Sequence, residues 1–526
     1  MKKRFKNGKL INFISRYWVV LLAIVAGLGL IFGGIEFYKE EVLNIDPDIE
    51  YEEQNTLYFG CEEIKDFNPY NTKSEDMYYM SSLINTYLFR YDENMGIVPQ
   101  LVDTFDVNTK KASITLKLRE DVYFSKGNQV TAKDVVNCIN YIKRLGSTSP
   151  YYDNVRKIAS AYVKGKDVNI FFYNNYNCSL DDLVIPIVNL ENPKLGAGEF
   201  YISKVDKRKA IYLKPNKKYY LGESKKEIIF TILPERELSK GMMDIYEVTC
   251  YVDDSIDRKS SAINSNFKIY DFTSNNVDFI YFNVRRPLTS KKNFRQAISY
   301  AIDSEKILKD AYMDDGVLSD TIYYPNFLGV TDTLDSYEHS ISKAKLKLSV
   351  LGYSDKDDDG ILEDVYGNKQ TLVILVNQTN NMRLQASKLI KKNLEETGFS
   401  VEIKTCDDNN YLSEIRRKDY DILITGYEIA PNYDLRFMFN GQNDWGFSDY
   451  NLQMKAAELD RIHSIEIYFE KYKELKEALI DEDVYYPLCY KNMSLIGVKT
   501  FETEKFPTFA DIYKNIDSFS WKKILK

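Results

Sequence analysis

Residues 17–35 form an uninterrupted uncharged run of nineteen residues, preceded by six cations (Lys2, Lys3, Arg4, Lys6, Lys9 and Arg16) with no acid among them. At about 1.5 Å per residue the run nearly matches the ~30 Å hydrocarbon layer, and it is longer than the ~7–15-residue apolar core of a secretory signal. We therefore expect a transmembrane helix at 17–35, with Tyr17, Trp18 and Phe37 at the interfaces. Basic residues stay on the cytoplasmic side, so residues 1–16 form a cytoplasmic tail and all that follows lies outside, a single-pass protein of the cell membrane. A cleaved signal peptide is the competing reading. A lipoprotein is excluded, because the first cysteine, Cys61, lies far beyond the apolar run.

Between residues 36 and 53 eight acids stand against one base, Lys39, with no apolar periodicity, so 36–55 reads as a solvated acidic stalk. Over the whole chain 70 Lys and Arg face 78 Asp and Glu, a net charge of −8, which removes the electrostatic drive toward nucleic acid. The two histidines, His339 and His463, and six cysteines without a C-x-x-C pair give no zinc spacing and little to build a Cys–His nucleophile. Neither histidine sits near a motif such as G-x-S-x-G. We expect no enzyme, no cofactor and no metal centre. Cys61, Cys138, Cys178, Cys250, Cys406 and Cys489 all fall on the outer side, where disulfides could persist, and free buried thiols or bridges both remain open. The 42 Tyr and 28 Phe suit strands, cores or a ligand-pocket wall.

From residue 56 short β-rich runs alternate with helical patterns, which predicts a mixed α/β class. Strands are expected at 56–60, 113–118, 168–173, 279–283, 372–376, 401–404 and 421–425. Helices are expected at 77–88, 134–144 with Thr131 as N-cap, 292–308, 383–397 closed by Gly398, and 465–480. The succession 372–404 is a β-α-β unit.

The string LREDVYFSKGNQVTAKDVV at 118–136 resembles the signature of the extracytoplasmic solute-binding proteins of oligopeptide, dipeptide and nickel ABC importers, solute-binding protein family 5. FNPY at 67–70, GAGEFY at 196–201 in place of the family's G-T-G-P-Y, LKPNKKYYLG at 213–222, IYFNVRRPLTSKKNFRQAISYAIDSEKIL at 280–308, GYSDKDDDGILEDVYG at 352–367 and DYDILITGY at 419–427 follow in the family's order. The resemblance implies a two-lobed clamshell of the type II periplasmic-binding-protein fold with an extra subdomain in the N-terminal half. Lobe I would comprise 56–275 plus 486–526, and lobe II 277–485. Ligand would bind between them by hinge closure, and the closed form would be recognised by permease subunits. A monomer is expected.

In the family, the passage after the strand at 421–425 carries a tryptophan and an acid that pairs with the peptide's α-ammonium. Here Tyr427 replaces the tryptophan and Ala430 falls where the acid is expected. Either Asp434 or Glu428 takes over, or the ligand has no free amine there, since a buried ammonium without a carboxylate is costly. The candidate ligand-binding residues are Tyr427, Glu428, Asn432, Tyr433, Asp434, Asn283 and Arg285. Tyr427 and Tyr433 either wall a pocket or pack the loop, and Asn283 and Arg285 either reach ligand or serve the strand end. Arg295 and Gln296 read as structural, Thr131 and Asp134 as a helix start, and Gly196 and Gly198 as hinge or close-approach positions. Asp355, Asp357, Asp359 and Gly360 match positions 1, 3, 5 and 6 of an EF-hand loop, with Glu363 at position 9. Position 12 is Tyr366, so the segment reads as a solvated turn rather than a Ca²⁺ loop.

Two functions are carried forward. One is a membrane-anchored protein that captures oligopeptides for an ABC importer. The other is a peptide-signal receptor of the same fold docking a non-permease partner, with nickel or haem ligands of some relatives also considered.

Overall fold

The computed structural model describes residues 50–173, 179–235, 238–253, 267–330, 338–459 and 465–525. The expected tail at 1–16, the transmembrane segment at 17–35 and the stalk up to residue 49 lie outside them. Among the described residues no helix is long and apolar enough to cross a membrane.

The chain divides into two compact units, the two termini and Asn55–Phe519. In the terminal unit the strand Tyr51–Gln54 pairs antiparallel with Trp521–Ile524. The end of the expected stalk is thus a strand, and its register explains why acids were no obstacle. Glu52 lies opposite Lys523 and Glu53 opposite Lys522, the opposite-charge pairing that favours cross-strand contact.

The larger unit carries three main sheets. Phe200–Asp206, Ala210–Pro215, Glu227–Ile232 and Thr56–Cys61 adjoin in that order, the last pair parallel. Val102–Asn108, Ser113–Leu118, Asp167–Phe172 and Ile158–Lys164 form an antiparallel sheet. The helix Ala132–Leu145 buries Val135, Ile139 and Ile142 in one core with Ile114, Leu116, Val168 and Ile170 of that sheet, the i, i+4, i+7 stripe expected of an amphipathic helix. Its start is capped as the sequence implies: the Asp134 carboxylate accepts from the Thr131 backbone N–H (2.8 Å) and Oγ1 (2.6 Å).

The third sheet runs in the order Cys250–Asp253, Tyr485–Val498, Phe267–Phe282, Ile422–Glu428, Thr371–Asn377, Ser400–Cys406, with Gly316–Val317 also on Tyr485–Val498. Thr371–Asn377 is parallel to both its neighbours, and the helix Asn381–Glu396 links it to Ser400–Cys406, which is the expected β-α-β unit. Gly398 closes that helix at φ 101°, a left-handed position suited to glycine. Ile298, Ile374, Ile390 and Ile424 share the core here.

Three elements differ from expectation. The helix expected at 77–88 is Glu75–Ile84: Asn85 is extended, and Thr86–Tyr87 is a strand paired antiparallel with Pro186–Ile187. The helix expected at 292–308 is two helices, Lys292–Ala301 and Ser304–Tyr312. Ile302 is extended, and the Asp303 side chain accepts from Lys306 N (3.0 Å), so a new N-cap restarts the helix. The strand expected at 279–283 is the last quarter of Phe267–Phe282, whose first part mixes Phe267, Ile269, Tyr270 and Phe272 with Lys268 and Asp271 and passes into the polar stretch 273–276. The expected lobe boundaries, near 276 and 485, fall within or at the end of the two long paired strands. At that point the pairing passes from Thr273↔Asn492 to Val277↔Tyr490, leaving residues 274–276 as a bulge.

Candidate ligand cleft

The residues expected at the site come from the ends of the third sheet. Phe282 ends one strand, Glu428 ends its neighbour, and the chain from Ile429 to Arg436 then crosses back toward the bulge. Asn275 fixes that passage: its Nδ2 donates to Ile429 O (2.8 Å), and Ile429 N donates to Asn275 O (2.9 Å).

Asn283 is 1 % exposed, and its side chain is spent on the fold. Its Nδ2 donates to Lys418 O (3.1 Å) and Tyr420 O (2.9 Å), and its Oδ1 accepts from Arg285 N (3.2 Å). Arg285 is exposed, with Nη2 on Gly446 O (3.2 Å). These two residues sit at the opposite end of the paired strands from Glu428, since Phe282 pairs with Ile422 whereas Asn276 pairs with Glu428. The structure therefore separates them from the 427–434 loop.

Within the loop, the two tyrosines divide. Tyr427 is 44 % exposed and lies on Phe437, with ring centroids 4.6 Å apart. Tyr433 is buried with φ 46°, and its ring packs on Phe327 (4.9 Å), Tyr324 (6.0 Å), Tyr323 (6.3 Å) and Phe509 (6.4 Å). Glu428 is exposed, with Asn275 Nδ2 3.5 Å from its Oε1. Asn432 is exposed, and its Oδ1 accepts from Asp434 N (3.3 Å).

Asp434 already has a cation. Arg436 meets it in a bidentate pair, Nε on Oδ1 at 2.6 Å and Nη2 on Oδ2. Burial pushes the Asp434 carboxyl up, but Arg436 outweighs burial and Lys157 adds to it, so the group stays below its ordinary range. Lys157 belongs to the N-terminal half and is itself held by Asp182 (2.9 Å). The halves also meet where Leu328 N donates to Asn94 O (2.8 Å).

Beneath the loop, a side chain at Gly426 would run into Asp278 Oδ1 and Arg383 Nη2. Asp278, 1 % exposed, receives Arg383 Nη2 at 2.7 Å and the Tyr312 hydroxyl at 3.0 Å, with Lys491 Nζ at 3.5 Å. Burial pushes Asp278 up, yet Arg383 and Lys491 together hold it below the usual carboxylate range. This floor was not singled out from sequence, because Asp278 and Arg383 lie 105 residues apart and neither stands in a motif.

A second polar group in the N-terminal half was also missed. Arg90 bonds Ser82 O (2.8 Å), pairs with Asp511 (3.2 Å) and lies 4.8 Å over the Tyr87 ring. Glu199 stands where the family pattern has proline. Burial, with Asp517 beside it, pushes its carboxyl up to about 8. That departure from the pattern was the available signal. Gly196 and Gly198 are close-approach positions, since a Cβ at either would strike the end of the helix Glu75–Ile84. Arg295 is spent on backbone carbonyls of Thr289, Ser290, Glu482 and Asp483.

Among the described residues five cysteines (Cys61, Cys138, Cys250, Cys406, Cys489) are free and buried, and burial raises their thiols, Cys138 to about 11; Cys178 lies outside the described residues. A thiol held protonated is a poor nucleophile. His339 lies 3.8 Å from Asp303.

The family model for bacterial extracellular solute-binding proteins, family 5 Middle, matches residues 96–447, more than half of the chain. Oligopeptide-binding protein AppA of Bacillus subtilis (strain 168) is 23% identical over 477 residues, 84% of this chain and 86% of that protein. Among solved structures, the nickel ABC transporter protein of Bacillus halodurans aligns with a TM-score of 0.72 at 16% identity, covering 89% of this chain and 100% of that one. The B. subtilis AppA complex with a nonapeptide aligns with a TM-score of 0.52 at 18% identity, covering 91% and 100%. These likenesses establish the two-lobed α/β fold.

Proposed function

Since the chain belongs to the family 5 bacterial extracellular solute-binding proteins, which are binding proteins and not enzymes, we propose that it captures oligopeptides between two lobes for an ABC importer while held to the cell membrane by residues 17–35. The observation that carries the reading is the loop after Glu428. It is anchored to the bulge of the strand Phe267–Phe282 through Asn275, and its Tyr433 packs on Phe327, next to Leu328 whose N–H donates to Asn94 O of the other half. A ligand that touches both halves shifts an open–closed equilibrium by its differential contacts, and permease subunits would then read the closed form. The chain acts as a monomer in this scheme.

In this reading Tyr427, Glu428 and Asn432 are the exposed side chains that meet the peptide. Tyr433 sets the loop's shape, and Asn283 and Arg285 serve the far strand end. Glu428 supplies the carboxylate for an α-ammonium, because Asp434 is occupied by Arg436. The peptide-signal receptor remains the second reading. Ala430 in place of the expected acid and the closed Asp434–Arg436 pair both favour a ligand chosen differently from ordinary nutrient peptides.

The full chain, purified in detergent micelles, would be denatured and its released small molecules identified by mass spectrometry, alongside thermal melts with a random peptide pool. Released peptides, or a pool-dependent rise in Tm, support peptide capture. An empty protein indifferent to the pool overturns the oligopeptide reading and moves the case to a specialised signal.

A further inference from the structure

Far along the chain from the loop, between the helix Ile341–Val350 and the strand Thr371–Asn377, the turn at 355–363 gathers four carboxylates. Asp355, Asp357, Asp359 and Glu363 each bring one oxygen within 4.8 Å of the others. Oxygens bound about 2.3–2.6 Å from one Ca²⁺ are at most ~5.2 Å apart, so this spacing fits a single such ion, whereas a Mg²⁺ shell closes at ~4.2 Å. The backbone holds the set in place. Gly360, at φ 87°, donates its N–H to Asp355 Oδ2 (2.8 Å), and Ile361 N donates to Asp359 Oδ1 (3.0 Å).

The sequence pattern argued against calcium because position 12 of an EF-hand loop is Tyr366. The fold supplies a different closing residue. Glu363 bridges antiparallel to Ser354 on one side and Lys369 on the other, which folds position 9 back over the loop. Glu363 is 3 % exposed; its Oε2 accepts from Lys356 N (2.7 Å), but its Oε1 is buried without a hydrogen-bond partner. A buried carboxylate oxygen with no donor is costly, and a cation at the cluster would satisfy it. Lys369 now covers the outer pair, lying 3.2 Å from Asp357 and also on Asp359. Its ammonium is half-exposed on a flexible stem, so it can leave when a stronger cation arrives.

We propose that Asp355, Asp357, Asp359 and Glu363 form a Ca²⁺ site that displaces Lys369 and staples the 355–363 turn. The turn abuts the end of the helix Asn381–Glu396, where Leu362 N donates to Gly398 O (2.7 Å), so the ion stiffens that helix end. The ligand set is short of a full EF-hand, which places affinity in the range of extracellular modules, a Kd of roughly 0.1–1 mM.

The test is calorimetric titration of the full chain in detergent micelles with CaCl2, and with MgCl2 at matched ionic strength. One Ca²⁺ per chain is expected, with MgCl2 at least about tenfold weaker. Glu363→Gln abolishes the heat, and Asp357→Asn weakens it by about tenfold. Lys369→Met removes the competing ammonium and tightens binding by roughly threefold. Asp357 is solvent-exposed, so its variant stays folded even if Glu363→Gln does not. Absence of heat at about 10 mM CaCl2 in both the wild type and Lys369→Met overturns the proposal. So does wild-type affinity retained in both Glu363→Gln and Asp357→Asn, or equal binding of Mg²⁺.

Discussion

Asp278 and Asp483 stand on or beside the two long paired strands, and both are almost fully buried, at 1 % and 2 % exposure. Their neighbours set them apart. Asp278 meets Arg383, Lys491 and the Tyr312 hydroxyl, and remains ionised. Asp483 is met by the Ser299 hydroxyl (2.8 and 3.1 Å), while Arg295 gives its donors to backbone carbonyls, that of Asp483 included. Burial therefore wins, with Ser299, Arg295 and Lys347 offsetting it only in part, and the Asp483 carboxyl rises to about 7. Equal burial gives opposite shifts: two cations act on each carboxylate, but Arg383 and Lys491 approach the Asp278 oxygens directly whereas Arg295 is spent on carbonyls, so direct contact, and not depth, decides the direction.

The comparison breaks most severely at Asp278→Asn. That change leaves Arg383 and Lys491 buried without a counter-charge, and urea unfolding at pH 7 should show a loss of about 3–5 kcal/mol. If the loss is below about 1 kcal/mol, Asp278 was not holding the cations.

Asp483→Asn sharpens the comparison through pH. A carboxyl whose folded pKa is raised binds more protons in the folded state, so its contribution is present below about 4 and is lost as pH rises through about 7. Its contribution to the wild-type slope should approach about 1.4 kcal/mol per pH unit within that window, and the asparagine variant should lack it. Asp278 has the other sign: its contribution is present above its unfolded value near 4 and lost as pH falls through its lower folded pKa. Stability curves from pH 3 to 8 for the two variants should diverge from wild type in opposite directions.

The smallest effect concerns Asp434, a carboxylate with one guanidinium and partial exposure. Arg436→Met frees it for a ligand ammonium. Peptides with a free amino terminus should then bind a few-fold tighter than acetylated copies, compared by competition in the melt assay. No preference between the two would leave Asp434 without a role in recognition.

Local grammar was legible where it acts within a few residues. The strand Ser113–Leu118, the Thr131–Asp134 cap and Gly398 behind its helix follow from alternation, capping chemistry and a left-handed backbone. Asp303 was a missed N-cap although the polar run 303–306 interrupts the apolar pattern there, and the first part of Phe267–Phe282 was missed because the polar stretch 273–276 parts its apolar residues from those at 279–282. In the loop, residue types were legible but their pairing was not. The sequence presents Asp434 as an available acid, and only the fold reveals that Arg436 already holds it. Likewise Arg383, Lys491 and Tyr312 converge on Asp278 from distant segments, a meeting that no spacing rule encodes.

The bulge at 274–276 gives the long strand more chain than its partner requires, and Ser274 takes up that surplus by bonding Lys491 O (2.7 Å). Surplus chain works as slack. A strand with slack can change its angle there while the ladders on either side stay zipped, so in a clamshell the cost of opening is set by the contacts that part across the mouth rather than by torn backbone pairing. The affinity such a molecule shows for its cargo would then be tuned where the halves touch, as at Asn94 and Leu328, with the joint itself nearly silent.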